Sequence, residues 1–176
     1  MVYEPHEDSF LLQSNLAKHC QGIVLDMGTG SGIQALSAAK MVEGVTAVDI
    51  DPEAVAFVRE LVKQDGITNI EVIESDLFEK VDGEFDTILF NTPYLPEDGE
   101  PDPALDGGAL GYEIVIRFLS EAKGHLAPEG IILLVISTLT NPLKVEQEAK
   151  KLGYSFKIID EEKVPFETLY LYKLTK

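Results

Sequence analysis

Apolar positions along the chain fall into short continuous runs that alternate with stripes of helical spacing. The continuous runs predict buried strands of a sheet covered on both faces, and the stripes predict amphipathic helices between them. Seven strands are expected, over residues 22–27, 45–49, 70–74, 85–90, 131–137, 154–160 and 168–174. Five helices are expected, over residues 7–19, 31–42, 52–64, 112–123 and 142–152.

The ends of two predicted helices carry capping signals. Asp8 or Ser9 can cap the first helix, and Asp51 can cap the third, where Pro52 occupies the first turn. Because helices and strands alternate throughout, we predict an α/β fold with a doubly wound, mostly parallel, seven-stranded Rossmann-like sheet and an antiparallel C-terminal strand. The whole chain, residues 1–176, is predicted to form one domain.

Composition narrows the possible partners. The formal net charge is −17, from 31 acidic and 14 basic residues, and the longest basic run is the pair Lys150 and Lys151. Proteins that grip nucleic acid unaided usually cluster basic side chains against phosphates, so the charge argues against such a partner. We also expect no membrane span, no export signal and no metal site, and the single cysteine, Cys20, favours a cytoplasmic location.

The end of the first predicted strand continues into a glycine-rich turn, Asp26-Met-Gly28-Thr-Gly30-Ser-Gly32. In a doubly wound sheet, ligands bind beyond the carboxyl ends of the strands. Glycines let the backbone approach a ligand closely, and the following helix offers free N–H groups to an anion. The alternate-residue spacing differs from the G-x-G-x-x-G of dinucleotide sites. Asp26 would disfavour a pyrophosphate and suits a ligand that carries an ammonium and a sulfonium.

Two further strand ends also carry acids. Asp49 can accept hydrogen bonds from both ribose hydroxyls, and Asp76 can accept one from an adenine amino group. Taken alone, Asp76 is better explained as a turn residue after a strand, and Asp51 is better explained as a helix cap. Three acids at three successive strand ends nevertheless predict a site for S-adenosylmethionine. Three residues that adjoin the acids and glycines in sequence are assigned to the same site: Thr29, Ile50 and Leu77.

The fourth strand end, Asn91-Thr92-Pro93-Tyr94, indicates the chemistry. An amide or aromatic amino nitrogen is a poor nucleophile, and two hydrogen-bond acceptors can hold it and aim its lone pair. The Asn91 side-chain oxygen and the Thr92 main-chain carbonyl are the candidate acceptors. Pro93 restricts the residue before it, and Tyr94 offers an aromatic face to a planar group. We therefore predict methylation of a planar nitrogen, and no general base is required before the transfer.

Four segments of the chain resemble the HemK/PrmC family of N5-glutamine methyltransferases. They are residues 3–12 (YEPHEDSFLL), 24–32, 85–94 and 103–111. The first resembles the opening of the short archaeal and eukaryotic branch, in which it folds over the cofactor pocket. The resemblance thus implies that Ser9, and Asn91 as well, contact S-adenosylmethionine. It also implies that the substrate is the glutamine of the Gly-Gly-Gln motif in a class 1 peptide chain release factor.

Two departures from the family pattern bear on these expectations. Thr92 replaces the first proline of the family's Asn-Pro-Pro-Tyr motif, which affects the stiffness of the loop rather than the carbonyl acceptor. Only about 25 residues precede the glycine-rich turn, so the helical substrate-recognition domain of the bacterial enzymes is expected to be absent. Members of the short branch typically work with a small zinc-binding activator protein, and the resemblance implies such a partner here.

Two other functions remain open from the residues alone. Loops of this type also methylate exocyclic amino groups of RNA or DNA, although enzymes that act on duplexes flip the base and usually carry a basic recognition domain. A module that binds the cofactor without catalysis would keep the glycine-rich turn and would not need Asn91.

Overall fold

The computed structural model describes residues 4–93 and 111–176. Within them, a single sheet contains seven strands in the order β3-β2-β1-β4-β5-β7-β6. The strands are β1 Ile23–Met27, β2 Gly44–Asp49, β3 Ile70–Glu74, β4 Phe85–Asn91, β5 Leu126–Ser137, β6 Ser155–Val164 and β7 Glu167–Thr175. The helices are α1 Glu7–His19, α2 Ile33–Ala38, α3 Pro52–Gln64, α4 Glu113–Ala122 and α5 Pro142–Lys151, and a 3₁₀ turn covers Thr138–Thr140.

Strand directions confirm the predicted fold class. Strands β1 to β5 pair in parallel, whereas β7 runs antiparallel to both of its neighbours, β5 and β6. Strand order reverses at β1, which lies between β2 and β4. A crevice opens at the carboxyl ends of the strands at such a reversal and is the usual ligand site of doubly wound sheets. Met27 pairs there with Val48 on one side and with Phe90 on the other.

Apolar side chains fill both faces of the sheet. Successive residues of a strand point to opposite faces, so Val24 and Leu25 belong to different cores, and both are fully buried. Helices α1 and α2 cover the face of Val24, and helices α4 and α5 cover the face of Leu25. On the second face Phe118 of α4 packs against Phe90, with ring centroids 4.5 Å apart. The strand that ends at Asn91 is therefore held between two packed layers.

The second helix is shorter than predicted. Residues 31–42 read as one Ala-rich helix, but the structure has α2 at Ile33–Ala38 only. The Asn69 side-chain amide donates hydrogen bonds to the carbonyls of Ala39 and Val42, at 2.9 and 3.2 Å. These bonds satisfy two carbonyls beyond the end of α2, where the chain turns toward β2. Because Asn69 is about 30 residues away in sequence, helix propensity alone does not reveal this stop.

Two other details differ from the predictions. Neither Asp8 nor Ser9 caps α1, because the helix starts at Glu7 with His6 as its N-cap and no side-chain capping bond. By contrast Asp51 caps α3 as predicted, by accepting a hydrogen bond from the Glu53 amide at 2.8 Å.

Strand β5 begins five residues before the predicted position, because Leu126 already pairs with Phe85. Within the described residues no helix is long and apolar enough to cross a membrane.

Candidate active site

The glycine-rich turn after β1 has a backbone that only glycine adopts without strain. Gly28, Gly30 and Gly32 have φ angles of 63°, 51° and 79°, all in the left-handed region. A Cβ on Gly28 would lie 3.2 Å from the Phe90 ring, and one on Gly32 would lie 3.0 Å from Val58. The turn is also tied to β2, since the Thr29 amide donates to the Val48 carbonyl at 2.8 Å. The turn therefore has no side chain at three positions with left-handed backbone, which lets a cofactor approach the backbone closely.

Asp26 lies beneath this turn and is 1% exposed. Its Oδ2 accepts hydrogen bonds from the Thr29 hydroxyl at 2.7 Å and from the Ala35 amide in α2 at 3.0 Å. Burial raises the pKa of the Asp26 carboxyl to about 7, although these two donors partly oppose the rise. A nearby cation would favour the ionised form. The carboxyl therefore holds the turn on the helix and is suited to receive a positively charged ligand group.

The stability of the ligand-free protein should depend on pH through Asp26. The unfolded carboxyl loses its proton near pH 4 and the folded one near pH 7, so the folded state binds more protons between these values. The free energy of unfolding is therefore expected to fall as pH rises from about 4 to about 7, and this contribution is constant above about pH 7. Asp26→Asn, which cannot ionise, should lack it.

Urea denaturation of the wild type and of Asp26→Asn over this pH range measures the effect. The comparison is needed because burial also raises the pKa of Asp49, which contributes in the same direction in both proteins. A difference between the two proteins that does not change with pH would contradict the expectation. Affinity for a cationic cofactor should rise over the same interval, since the cation favours the ionised carboxylate.

Asp49 connects the turn to the next helix. Its Oδ2 accepts a hydrogen bond from the Gly30 amide at 2.8 Å, and its Oδ1 accepts one from the Asp51 amide at 3.0 Å. Each carboxylate oxygen has a second lone pair, so the group can still accept two ribose hydroxyls. Ile50 beside it is 51% exposed and offers an apolar surface to a planar ring. The structure thus brings Asp49 and Ile50 to the same rim as the glycine-rich turn.

Asp76 reaches the rim together with a basic partner that sequence reasoning missed. The Ser75 amide donates to the Asp49 carbonyl at 2.9 Å, which joins the two segments. Both Asp76 oxygens accept from Nη1 of Arg117 in α4, at 2.9 and 2.8 Å. The hydrogen bond that Arg117 donates to Asp76 raises the pKa of the Arg117 guanidinium. Leu77 follows with a φ of 45°, which is rare for a side chain of its type. The hydrogen bond from adenine to Asp76 stays a prediction. A ligand at this position would share the Asp76 carboxylate with Arg117.

Asn91, the last residue of β4, presents an acceptor atom that has no donor. Its Oδ1 is buried, and no described residue donates a hydrogen bond to it. Its Nδ2 donates to the Ser9 hydroxyl oxygen at 3.4 Å. A buried polar atom without a partner costs about 1–3 kcal/mol, and such atoms in folded proteins call for an explanation. A hydrogen-bond donor of a ligand is the explanation that the position at the strand end supports.

Thr92 is anchored by its side chain. It is 3% exposed, and its hydroxyl donates to the Val135 carbonyl of β5 at 2.8 Å. This bond ties the start of the loop to the neighbouring strand, where the family motif has a proline ring. Pro93 is half-buried next to it. The fourth predicted residue, Tyr94, and the segment 103–110 lie outside the described residues.

Ser9 of α1 also meets this rim. It is 2% exposed, and its carbonyl accepts a hydrogen bond from the Gln34 side chain of α2 at 2.8 Å. The N-terminal helix therefore touches both the helix that follows the glycine-rich turn and the end of β4. Among residues 4–93 and 111–176 no group of three or more His, Cys, Asp or Glu side chains could hold a metal ion.

Comparisons with known proteins identify the family of this chain. A family model described as "Methyltransferase small domain" matches residues 6–157. A protein named as a protein N5-glutamine methyltransferase in Methanocaldococcus jannaschii is 42% identical over 175 residues, which cover 96% of this chain and 88% of that protein. Methyltransferase HEMK2 of Mus musculus is 32% identical over 171 residues, which cover 86% of this chain and 79% of that protein.

A solved structure is similar over the whole fold. The Mtq2–Trm112 complex of E. cuniculi, described as responsible for methylation of the eRF1 translation termination factor, matches with a TM-score of 0.81 and 28% identity. The match covers 99% of this chain and 98% of the other. The fold, the glycine-rich turn and these relatives define an S-adenosylmethionine-dependent methyltransferase of class I. The chain belongs to the HemK/PrmC family of protein N5-glutamine methyltransferases, in its short archaeal and eukaryotic branch.

Proposed function

We propose that this methyltransferase methylates the side-chain amide nitrogen of a protein glutamine, in the Gly-Gly-Gln motif of a class 1 peptide chain release factor. The observation that carries the proposal is the buried Oδ1 of Asn91, which has no donor among the described residues. A primary amide has two N–H groups, and one of them supplies the missing donor. The names of the relatives support the choice of amide, since they describe protein glutamine methyltransferases.

The residues of the loop perform the chemistry by holding the amide. Asn91 Oδ1 accepts one N–H of the substrate, and the Thr92 carbonyl accepts the other. Both acceptors pull electron density toward the nitrogen and turn its lone pair toward the methyl group. The hydroxyl of Thr92, bonded to Val135, and the ring of Pro93 limit the movement of that carbonyl. The nitrogen becomes acidic once it is methylated, so its proton leaves to water without a dedicated base.

The cofactor-binding roles follow from the rim described above. We assign the cofactor's ammonium to Asp26, its ribose hydroxyls to Asp49 and its adenine to the segment around Asp76, and the three left-handed glycines let the backbone approach it. S-adenosylmethionine supplies a methyl group on a positively charged sulfur, which is an electrophile without further activation. The protein thus contributes binding, orientation and hydrogen-bond acceptors.

Two observations favour a protein over a nucleic acid as the substrate. The chain carries a net charge of −17, which repels phosphates. Large apolar side chains are also exposed at the carboxyl rim, beyond β5 and at the β6–β7 turn: Leu139 at 45%, Leu143 at 71% and Phe166 at 103%. Exposed apolar side chains beside a site fit a protein surface better than a sugar-phosphate backbone. Methylation of an exocyclic amino group of RNA or DNA is the alternative function.

A small activator protein belongs to the same proposal. The Mtq2 chain in the matched structure is in complex with Trm112. Because this chain aligns with 98% of that one, we propose that it also works with a small partner, and the family resemblance suggests that this partner binds zinc. A release factor as substrate would place the reaction in the cytoplasm.

The function is tested by transfer of a labelled methyl group to the release factor of the same organism, with and without the activator. Label should appear on the wild-type factor and should be lost when the glutamine of the Gly-Gly-Gln motif is replaced by asparagine, because the shorter amide does not reach the acceptors. Equal labelling of both factors, or labelling of RNA or DNA that weakens as salt rises, would contradict the proposal.

A further inference from the structure

Asn91 works only in one of two orientations of its side-chain amide. When Oδ1 of Asn91 faces the substrate, it accepts an N–H of the substrate amide. When Nδ2 faces the substrate, its hydrogens would meet the hydrogens of the substrate amide. The oxygen and nitrogen ends have nearly the same shape, so packing does not distinguish them. The orientation must come from a neighbour that accepts from Nδ2 and does not donate to Oδ1.

Ser9 accepts a hydrogen bond from this amide, but a hydroxyl alone does not determine the orientation of the amide. Its Oγ lies 3.4 Å from Asn91 Nδ2. A serine hydroxyl can donate one hydrogen and accept others, so it could satisfy either end of the amide. What decides the orientation is where the hydroxyl hydrogen points.

Asp8 takes that hydrogen. The Ser9 hydroxyl donates to Asp8 Oδ1 at 3.3 Å, and the Ser9 amide donates to the same oxygen at 2.6 Å. As the acceptor of both bonds, Asp8 Oδ1 holds the hydroxyl hydrogen and leaves a Ser9 lone pair for Asn91. Both residues are almost completely buried, Asp8 at 3% and Ser9 at 2% exposure, so water competes little. The bonds therefore run in one direction, from Asn91 through Ser9 to Asp8.

The backbone of Ser9 is held from a different side. Gln34, the second residue of α2, donates from Nε2 to the Ser9 carbonyl at 2.8 Å and is 3% exposed. Gln13, one turn further along α1, donates to the Ser37 hydroxyl of α2 at 2.8 Å. These two amides fasten α1 to the helix that follows the glycine-rich turn. The position of the Ser9 hydroxyl is thus set by the cofactor-binding half of the site.

We propose that Asp8 and Ser9 are positioning residues that select the amide orientation of Asn91, and through it the preference of the enzyme for an amide over a carboxylate. The inference rests on the proposed function, in which Asn91 accepts an N–H of glutamine. It gives Ser9 a role different from the cofactor contact that family resemblance implies. When Ser9 and Asp8 fix the amide of Asn91, a glutamate carboxylate at the methylation position faces Asn91 Oδ1 and is repelled. Without them, Asn91 can turn its NH₂ group toward that carboxylate and bind it.

The test compares binding of the release factor and of its Gln→Glu variant, in which glutamate stands at the methylation position. Affinities are measured with S-adenosylhomocysteine present, for the wild-type enzyme, Ser9→Ala, Ser9→Thr and Asp8→Asn. In Ser9→Ala and Asp8→Asn the preference for glutamine over glutamate should fall about tenfold, and kcat should fall by a similar factor. Ser9→Thr keeps the hydroxyl and should restore both. Ser14→Ala, on the exposed side of the same helix, is the matched control and should leave both unchanged.

The preference ratio decides the outcome. A loss that is confined to cofactor affinity, with the glutamine-to-glutamate ratio unchanged in both Ser9→Ala and Asp8→Asn, overturns the positioning role. If Asn91→Ala also leaves the ratio and the rate unchanged, then the proposed function fails as well. If Asn91→Ala is inactive but Ser9→Ala keeps the wild-type preference for glutamine over glutamate, then only the positioning role is refuted and the proposed function stands.

Discussion

Replacing Asn91 with alanine is expected to lower the rate of methyl transfer at least about 100-fold, the usual effect of removing one hydrogen bond that stabilises a transition state. The substrate nitrogen would keep the Thr92 carbonyl and lose the acceptor that aims its lone pair. Removing Asn91 relieves the cost of a buried acceptor without a donor, about 1–3 kcal/mol, and loses the Nδ2 contact to Ser9, so the free energy of unfolding should not fall by more than about 1 kcal/mol.

Single-turnover transfer of labelled methyl at saturating cofactor measures this rate, and urea denaturation of the same protein measures its stability. The combination matters, because a rate that falls together with stability would indicate a folding defect instead. Activity within about tenfold of the wild type would show that Asn91 is not the acceptor on which the mechanism depends.

Replacing Gly32 with alanine should destabilise the protein by about 2–5 kcal/mol and weaken cofactor binding. A left-handed backbone costs an L-residue about 1–2 kcal/mol, and forcing a methyl group against packed atoms costs about 1–3 kcal/mol more. At Gly32 both apply, because φ is 79° and the new Cβ would lie 3.0 Å from Val58. Such a loss is a large part of the usual 5–15 kcal/mol of folding stability.

Gly66 provides the matched control for this experiment. Its φ is 63°, yet a Cβ there would meet nothing within 4 Å. Gly66→Ala therefore carries the backbone cost alone, about 1–2 kcal/mol, and should leave cofactor affinity unchanged. The difference between the two variants in urea denaturation isolates the steric cost at the turn. Equal destabilisation by both would mean that Val58 moves aside and that the turn is less tightly packed than its geometry indicates.

Local pattern was enough to predict most of the fold. Strand β3 at Ile70–Glu74 and helix α1 at Glu7–His19 have the predicted ends, because continuous apolar runs and helical stripes are short-range signals. The early end of α2 and the early start of β5 depend on partners far away in sequence, Asn69 in one case and Phe85 in the other. Neither partner produces a local sequence signal in the segment whose end it determines.

The candidate site likewise has features that local sequence predicts and contacts that it does not. Strand ends and glycines predicted which residues would meet at the rim, since parallel strands bring their carboxyl ends to one edge. Two interactions that refine the site were out of reach. Arg117 is 41 residues from Asp76, and Ser9 is 82 residues from Asn91. Pairings of this kind depend on how α4 and α1 pack on the sheet, which no local spacing encodes.

The hydroxyl bond between Thr92 and Val135 gives the loop a restraint of a different thermodynamic kind from a proline ring. A ring limits the backbone in the unfolded chain as well as in the folded one, so it lowers the entropy lost on folding. A hydrogen bond acts only once β4 and β5 lie side by side, and the entropy of ordering Thr92 is lost at that moment. The start of the loop, at Thr92, is consequently restrained by a bond that exists only in the folded sheet and that adds no order to the unfolded chain.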